Sequence, residues 1–314
     1  MINPDHTTTN HLVDDSSRGL KFALGITAVI MAAEITGGIF SNSLSLISDA
    51  GHMLVDVLSL ALSLIALNLA KRPATVTRTF GLHRAEILAA LANGVTLVLI
   101  SAYIFYEAIH RFSNPPAVHT PLMIIVAAVG LAGNLLTIQL LRRTRRNNLN
   151  IRAAFFHVFG DTISSAGVIA AGIVIAVTGW ELADPIIAIV IGCIILWGAV
   201  SLVRESVDIL LETVPKNIPL EQVTETVMGV KGVVELHDLH VWTITSGIYA
   251  LSTHVLIEDQ MLSRTREITD EINHLLAQKF NIMHTTFQLE NEKSADCAEG
   301  LVCHMQRTQE PEHH

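Results

Sequence analysis

Six long apolar segments constrain the fold of this 314-residue chain more than any other feature. They lie at roughly residues 20–40, 44–70, 86–110, 120–141, 151–178 and 183–210, and a bilayer-spanning helix needs about 20 residues. Half of all residues are hydrophobic, only 16% are charged, and mean hydropathy is +0.47. Because a backbone in lipid must satisfy its own hydrogen bonds, these segments predict six transmembrane helices.

Basic residues occur in alternate loops and predict the orientation of the chain. The opposite loops contain almost none, and residues 179–184 are acidic. By the positive-inside rule, we expect both termini in the cytoplasm. Because the polar N-terminus has no short apolar region followed by a small-residue cleavage site, we expect no removable signal peptide. The basic loop residues are Arg18 and Lys21, then Lys71, Arg72, Arg78 and Arg84, then Arg142, Arg143, Arg145, Arg146 and Arg152.

Two of the apolar segments contain a histidine four residues before an aspartate: His52 with Asp56, and His157 with Asp161. Residues at this spacing share one face of a helix, so two helices can direct two imidazoles and two carboxylates at one ion. That donor set suits tetrahedral Zn²⁺. An ionisable group in hydrocarbon costs about 2.5–3.5 kcal/mol, so four of them predict an ion pathway. The alternative is hydrogen bonding between helices.

Other polar residues near these segments leave two interpretations open. Asp49 either orients His52, or serves only as a helix cap or an exposed residue at the membrane surface. Glu34 serves either a structural hydrogen bond or proton handling. The loop residue His83 and Glu86 either share an ion or only cap a helix. Asp184, which precedes Pro185, is predicted to cap the sixth segment.

From Thr213 onward the composition is that of a small soluble domain. We predict a helix over 219–229, strands over 233–244 and 249–257 around a turn at Ser246 and Gly247, a helix over 263–280 and a strand over 283–289. This αββαβ order indicates a compact α+β sandwich. The region has fifteen acidic against seven basic residues, and the whole chain has net charge −9, which disfavours nucleic acid and is compatible with cations.

Four motifs in the chain match a known family. They are residues 48–56 (SDAGHMLVD), residues 80–93 (FGLHRAEILAALAN), the pair His157 and Asp161, and residues 237–242 (HDLHVW). Over roughly residues 18–291 the chain resembles the cation diffusion facilitators, within them the zinc-transporting branch. The resemblance implies a polytopic α-helical membrane protein with six transmembrane helices and a C-terminal α+β ferredoxin-like cytoplasmic domain. It also implies a homodimeric zinc/proton antiporter that works by alternating access.

The resemblance assigns metal ligands at two places. His52, Asp56, His157 and Asp161 look like the transport ligands, and His52 resembles the zinc-selective pattern. In the cytoplasmic domain, the implied ligands are His237, His254 and His284, with Glu290 a further candidate and Cys297 and Cys303 available if the tail folds back. If the strand is regular, His237 and His240 point to opposite faces, so His240 is expected in packing or hydrogen bonding.

These expectations define four regions: a polar tail (1–17), a transmembrane domain (18–212), a cytoplasmic metal-binding domain (213–291) and a C-terminal tail (292–314). We expect a bacterial inner-membrane protein that exports zinc, with cadmium as a second cargo, in contact with lipid, zinc ions and protons and with no nucleic acid. Zn²⁺ is both the substrate and the cytoplasmic ligand. An enzyme is not expected, because His-Glu-x-x-His and the phosphate-binding loop of ATPases are absent. The alternative is a membrane-embedded metal sensor whose output is the cytoplasmic domain.

Overall fold

A computed structural model describes Gly25 and residues 27–70, 73–143, 149–258 and 261–291 of the chain. The predicted tails 1–17 and 292–314, including Cys297 and Cys303, lie outside the described residues. The chain forms two compact units. One contains the chain up to Ile65 together with Ala89–Val203, and the other contains Ala66–Leu88 together with the chain from Arg204 onward.

Long apolar helices make up the first part of the chain. They are α1 (Thr27–Ser41), α2 (Leu44–Ala70), α3 (Ala85–Ser113), α4 (Thr120–Arg143), α5 (Leu149–Thr178) and α6 (Ala183–Leu210). Within the described residues, four stretches, in α3 to α6, are long and apolar enough to cross a membrane, and Thr27–Ser41 and Leu44–Val55 are shorter apolar helices. The predicted helical membrane domain is therefore confirmed.

A buried aspartate joins the beginnings of two of these helices. Asp184, in the first turn of α6, accepts hydrogen bonds from Ser43 Oγ, Ser45 Oγ and the backbone amide of Leu44, each at 2.6 Å. Arg111 Nη1 lies 3.7 Å from the same carboxylate. The carboxylate thus caps the N-terminus of α2, whose first amides lack partners within their own helix. The prediction that Asp184 caps α6 is corrected, because its carboxylate accepts hydrogen bonds from the beginning of α2 instead.

The second unit contains a three-stranded sheet with two helices. The elements follow the chain as α7 (Leu220–Met228), β1 (Val233–Thr245), β2 (Ile248–Ile257), α8 (Leu262–Phe280) and β3 (Ile282–Glu290). Strand β1 pairs antiparallel with β2, and β3 pairs parallel with β2. Gly247, at φ +76°, makes the predicted hairpin turn, where a positive φ favours glycine. The predicted αββαβ domain is confirmed.

One face of this sheet is apolar and forms the core with the helices. Val223 and Val227, four residues apart, turn one side of α7 inward, and Ile272 and Leu276 do the same for α8. Pro219 precedes α7 in an extended conformation, and Asn281 ends α8 in a left-handed conformation at φ +57°. The strands contribute Leu236, Leu239, Val241, Leu251 and Val255 to the core.

The segment before α3 and the first residues of α3 belong to the same unit as the sheet. Glu86 accepts hydrogen bonds from Thr245 Oγ1 at 2.5 Å and from Ser246 Oγ at 3.0 Å. The Phe80 ring packs edge-on against His284 with centroids 5.3 Å apart. Because both carboxylate oxygens of Glu86 bind hydroxyls of the hairpin turn, the alternative in which it shares an ion with His83 loses support. Glu86 has a structural role.

Candidate metal sites

The first candidate site lies between α2 and α5. Nε2 of His52 is 3.8 Å from Oδ1 of Asp161. The Asp161 side chain is almost completely buried, whereas the His52 side chain is 30% exposed. The structure therefore brings together one member of each predicted pair. The side chains of Asp56 and His157 lie outside the described part of the chain, so the convergence of all four remains a prediction.

Two further carboxylates are buried beside this pair. Asp49 is 2% exposed, and its Oδ2 accepts a hydrogen bond from Ser165 Oγ on α5 at 3.2 Å. The interpretation of Asp49 as a helix cap or an exposed residue is therefore wrong, because it is buried within α2. Glu34 on α1 is fully buried, and its Oε1 lies so close to Gly130 on α4 that a Cβ at that position would overlap it. Both carboxylates point into the bundle.

The second candidate site lies on the sheet, and each of its three residues comes from a different strand. His254 Nδ1 on β2 is 3.1 Å from Glu290 Oε1, and His237 Nε2 on β1 is 3.5 Å from Glu290 Oε2. The two imidazole centroids are 5.2 Å apart. One ligand atom from each residue lies within 4.8 Å of the other two, the only such group of three among the described residues.

A β-bulge shapes this site. His237 pairs with His254 and His240 pairs with Ser252, so three steps on β1 oppose two steps on β2. The extra residue is Asp238, at φ +51°. Since His254 and Ser252 share one face of β2, both histidines of β1 lie on that face, opposite the helices. The prediction of opposite faces is wrong, because β1 is not regular there.

Asp238 is the residue of this site that sequence reasoning missed. Its Oδ1 lies 3.0 Å from His240 Nε2, within hydrogen-bonding distance, and its Oδ2 lies 3.8 Å from His254 Nε2. His240 therefore makes the hydrogen bond expected of it and does not join the group of three. An aspartate in the middle of a β-branched and apolar strand is a signal for such a bulge, because aspartate is depleted in regular strands and tolerates positive φ.

His284 does not join the other histidines in this subunit, which corrects the predicted four-residue cluster. In the parallel pairing of β2 with β3, His284 is opposite Ala250, whereas His254 is opposite Gln288. Four residues along a strand separate these positions by about 13 Å. The predicted set of His237, His254, His284 and Glu290 is thus divided. His237, His254 and Glu290 lie together, and His284 contacts Phe80.

The donors of the sheet site fit a zinc ion. His237 Nε2, His254 Nδ1 and Glu290 Oε2 are buried and have no hydrogen-bond partner among the described groups, although each histidine nitrogen lies at ion-pair distance from one oxygen of Glu290. Buried polar atoms normally have partners, and three residues that offer such atoms within reach of one another could together hold a cation. Two imidazole nitrogens and one carboxylate match the ligands that Zn²⁺ takes, with a fourth position left for water or another group.

Comparisons with known proteins cover nearly the whole chain. The cation efflux transmembrane domain matches residues 20–211, and the cytoplasmic domain of cation efflux proteins matches residues 215–292. A cadmium, cobalt and zinc/H(+)-K(+) antiporter of Bacillus subtilis (strain 168) is 41% identical over 308 residues, which are 97% of this chain and 98% of that protein.

Two other relatives are similar over most of their length. The metal cation efflux system protein CzcD of Cupriavidus metallidurans is 41% identical over 88% of this chain and 87% of its own. The zinc transporter ZitB of Escherichia coli (strain K12) is 36% identical over 96% and 94%. Among solved structures, the metal-bound C-terminal domain of the CzcD transporter is 37% identical over 23% of this chain and 99% of that one, with a TM-score of 0.22.

Proposed function

This chain belongs to the cation efflux family, and on that premise we propose that it is an integral membrane transporter that exports Zn²⁺ in exchange for protons. The observation that carries the proposal is the contact between His52 on α2 and Asp161 on α5 inside apolar helices. Ionisable groups at that depth are costly and mark ion pathways. We assign the transported ion to this pair, completed by Asp56 and His157.

The chemistry of the pair supports reversible exchange. An imidazole ordinarily gains its proton near pH 6.5, about the pH at which a proton competes with a metal for the ring nitrogen. Protons arriving from outside therefore displace the metal, and the emptied site returns to the inner side by alternating access. Relatives named for zinc, cadmium and cobalt support the same ion class, with cadmium as a second cargo.

We assign the sheet site a separate role as a cytoplasmic zinc site. His237, His254 and Glu290 would hold the ion, and a bound ion would tie the three strands of the sheet together. We further propose that the chain is a homodimer in a bacterial inner membrane, with both termini in the cytoplasm. The alternation of basic and uncharged loops supports that orientation.

Zinc flux in sealed proteoliposomes with a pH gradient tests the proposal. We expect zinc movement that depends on the gradient in the wild type and background movement in Asp161→Asn, which keeps the side-chain volume but removes the charge. Gly198→Ala is the matched control, because a Cβ at that position meets open space. A wild-type protein that binds zinc without moving it would favour the sensor alternative and contradict transport.

A further inference from the structure

The membrane helices enclose polar groups that neither the metal site nor the helix packing explains. Glu34 on α1, Asp49 on α2 and Asn134 on α4 are 0%, 2% and 4% exposed. Both carboxylate oxygens of Glu34 and Nδ2 of Asn134 have no hydrogen-bond partner among the described groups, and neither does Ser48 Oγ. Each such atom costs about 1–3 kcal/mol or more, so the group requires an occupant.

Asp49 lies one helical turn away from the His52 and Asp161 pair. Asp49 precedes His52 by three residues on α2, and Ser165, its hydrogen-bond donor, follows Asp161 by four residues on α5. The contacts place Asp49 with Ser165 and His52 with Asp161, so the two helices run in opposite directions here. Asp49 is therefore displaced from the metal pair toward the N-terminal end of α2, where Asp184 caps the helix.

The occupant must carry positive charge, because the nearby ionisable groups are mainly acidic. Asp49 and Asp161 act on Glu34 through their charges, and the titratable base on the facing side of α2 is His52. The described part of α4, from Thr120 to Gln139, places Gly130 beside Glu34 and has no ionisable residue. When a zinc ion neutralises Asp161, Glu34 and Asp49 still lack a cation of their own.

A proton fits this place better than a second metal ion. The ligand atoms of Glu34, Asp49 and Asp161 do not converge as those of the sheet site do, since that site is the one group of three found among the described residues. The unpartnered atom of Asn134 is an amide nitrogen, which donates and cannot bind a cation. A proton needs no convergence of ligands, because one carboxyl group is enough to bind it.

We propose that Glu34 is a proton-binding group of the exchanger, separate from the residues that bind the metal. It holds a proton on its carboxyl oxygen while the helices around it exclude water, and it releases that proton when its surroundings open. Gly130 is part of this site, because a Cβ at that position would displace the carboxyl group of Glu34 from where it lies. This inference rests on the proposed proton-coupled export.

Two flux measurements on reconstituted full-length protein test the role of Glu34. The first is net zinc movement driven by a pH gradient, with protons counted by a pH dye. The second is exchange of labelled for unlabelled zinc at equal pH, which needs no net proton movement. In Glu34→Gln we expect about one proton fewer per zinc ion, or net flux at least about tenfold lower, while zinc exchange stays within about twofold of the wild type.

Gly130→Ala provides a second variant that keeps the carboxylate and displaces it. Gly130→Ala should lose proton coupling or net zinc flux while it keeps zinc exchange, as Glu34→Gln does. If Glu34→Gln is not recovered as a folded protein, Gly130→Ala alone tests the role of Glu34. Gly198→Ala, where a Cβ meets nothing within 4 Å, should leave both fluxes unchanged.

The outcomes separate this inference from the proposed function. Unchanged proton coupling in both variants would overturn the role of Glu34. An equal loss of net flux and of zinc exchange would also overturn the proton-binding role, because such a loss would indicate that Glu34 is structural. A wild type without zinc flux would contradict the export proposal itself.

Discussion

The division of the cytoplasmic histidines leads to a test of which of them binds zinc. We expect a fragment from Thr213 to Asn291 to be stabilised by zinc, because its core residues, from Ile218 to Ile282, all lie within it. The ligand atoms of His254 and Glu290 are 3.1 Å apart, whereas register places His284 about 13 Å from His254. His254→Ala should therefore remove the rise in melting temperature that zinc produces, and His284→Ala should preserve that rise.

The size of the effect follows from mass action. With free zinc at about 1,000 times its dissociation constant, the folded state gains about 4.1 kcal/mol. A domain of this size gains about 4–8 °C in melting temperature per kcal/mol, so zinc should raise it by roughly 15–30 °C. If the loss of one ligand weakens binding by about a thousandfold, the gain falls to about 0.4 kcal/mol, or about 2–3 °C.

Scanning calorimetry with and without zinc measures these increments directly. His274→Ala is the matched control, because His274 is an exposed histidine on α8, and the helices cover the face of the sheet opposite the site. Its increment should equal that of the wild type. The reasoning would be refuted if His284→Ala lost the zinc increment while His254→Ala kept it, since the register that separates them would then be incorrect.

Three further predictions concern the membrane domain. Asp161→Ala should reduce zinc flux to background in a protein that remains monodisperse in detergent, because an ion ligand is lost; wild-type flux in proteoliposomes would contradict this. His52→Asp replaces a nitrogen donor with a harder oxygen, so competition assays should show Cd²⁺ or Mn²⁺ gaining on Zn²⁺, and an unchanged ion profile would place selectivity elsewhere. Asp184→Ala leaves Ser43 and the first amides of α2 without their acceptor, which should cost about 1–3 kcal/mol and lower the melting temperature, whereas an unchanged melting temperature would show that water replaces the carboxylate.

Local patterns predicted the elements of this fold well. The apolar segment 44–70 coincides with α2 (Leu44–Ala70), because a mainly apolar run of more than about 20 residues is typical of a bilayer-spanning helix. The strands and helices after Thr213 were predicted because period-two and period-four patterns distinguish them, and because Gly247 marks the turn. Spacing alone also predicted the pairing of His52 with Asp161 across two helices.

Contacts between distant elements could not be read from local patterns. Asp184 looks like the cap of its own helix, yet it caps α2, 140 residues earlier in the chain. The position of His284 depends on how β3 slides along β2, and a parallel pairing across α8 carries no turn that would fix this register. The position of the Glu34 carboxylate beside Gly130 is likewise a contact between two helices, which the local sequence around Glu34 does not predict.

The bulge at Asp238 has a physical cause that the motif of residues 237–240 already contains. With His237 on the open face, a regular strand would direct Asp238 and His240 into the apolar core and Leu239 out of it. Burying such polar groups without partners costs several kcal/mol, about 1–3 for each neutral group and more for a charge. A left-handed conformation at a single residue costs about 1–2 kcal/mol and less for aspartate, which tolerates it. The smaller cost prevails, so Leu239 is buried, both histidines reach the open face, and the Asp238 carboxylate lies between His240 and His254.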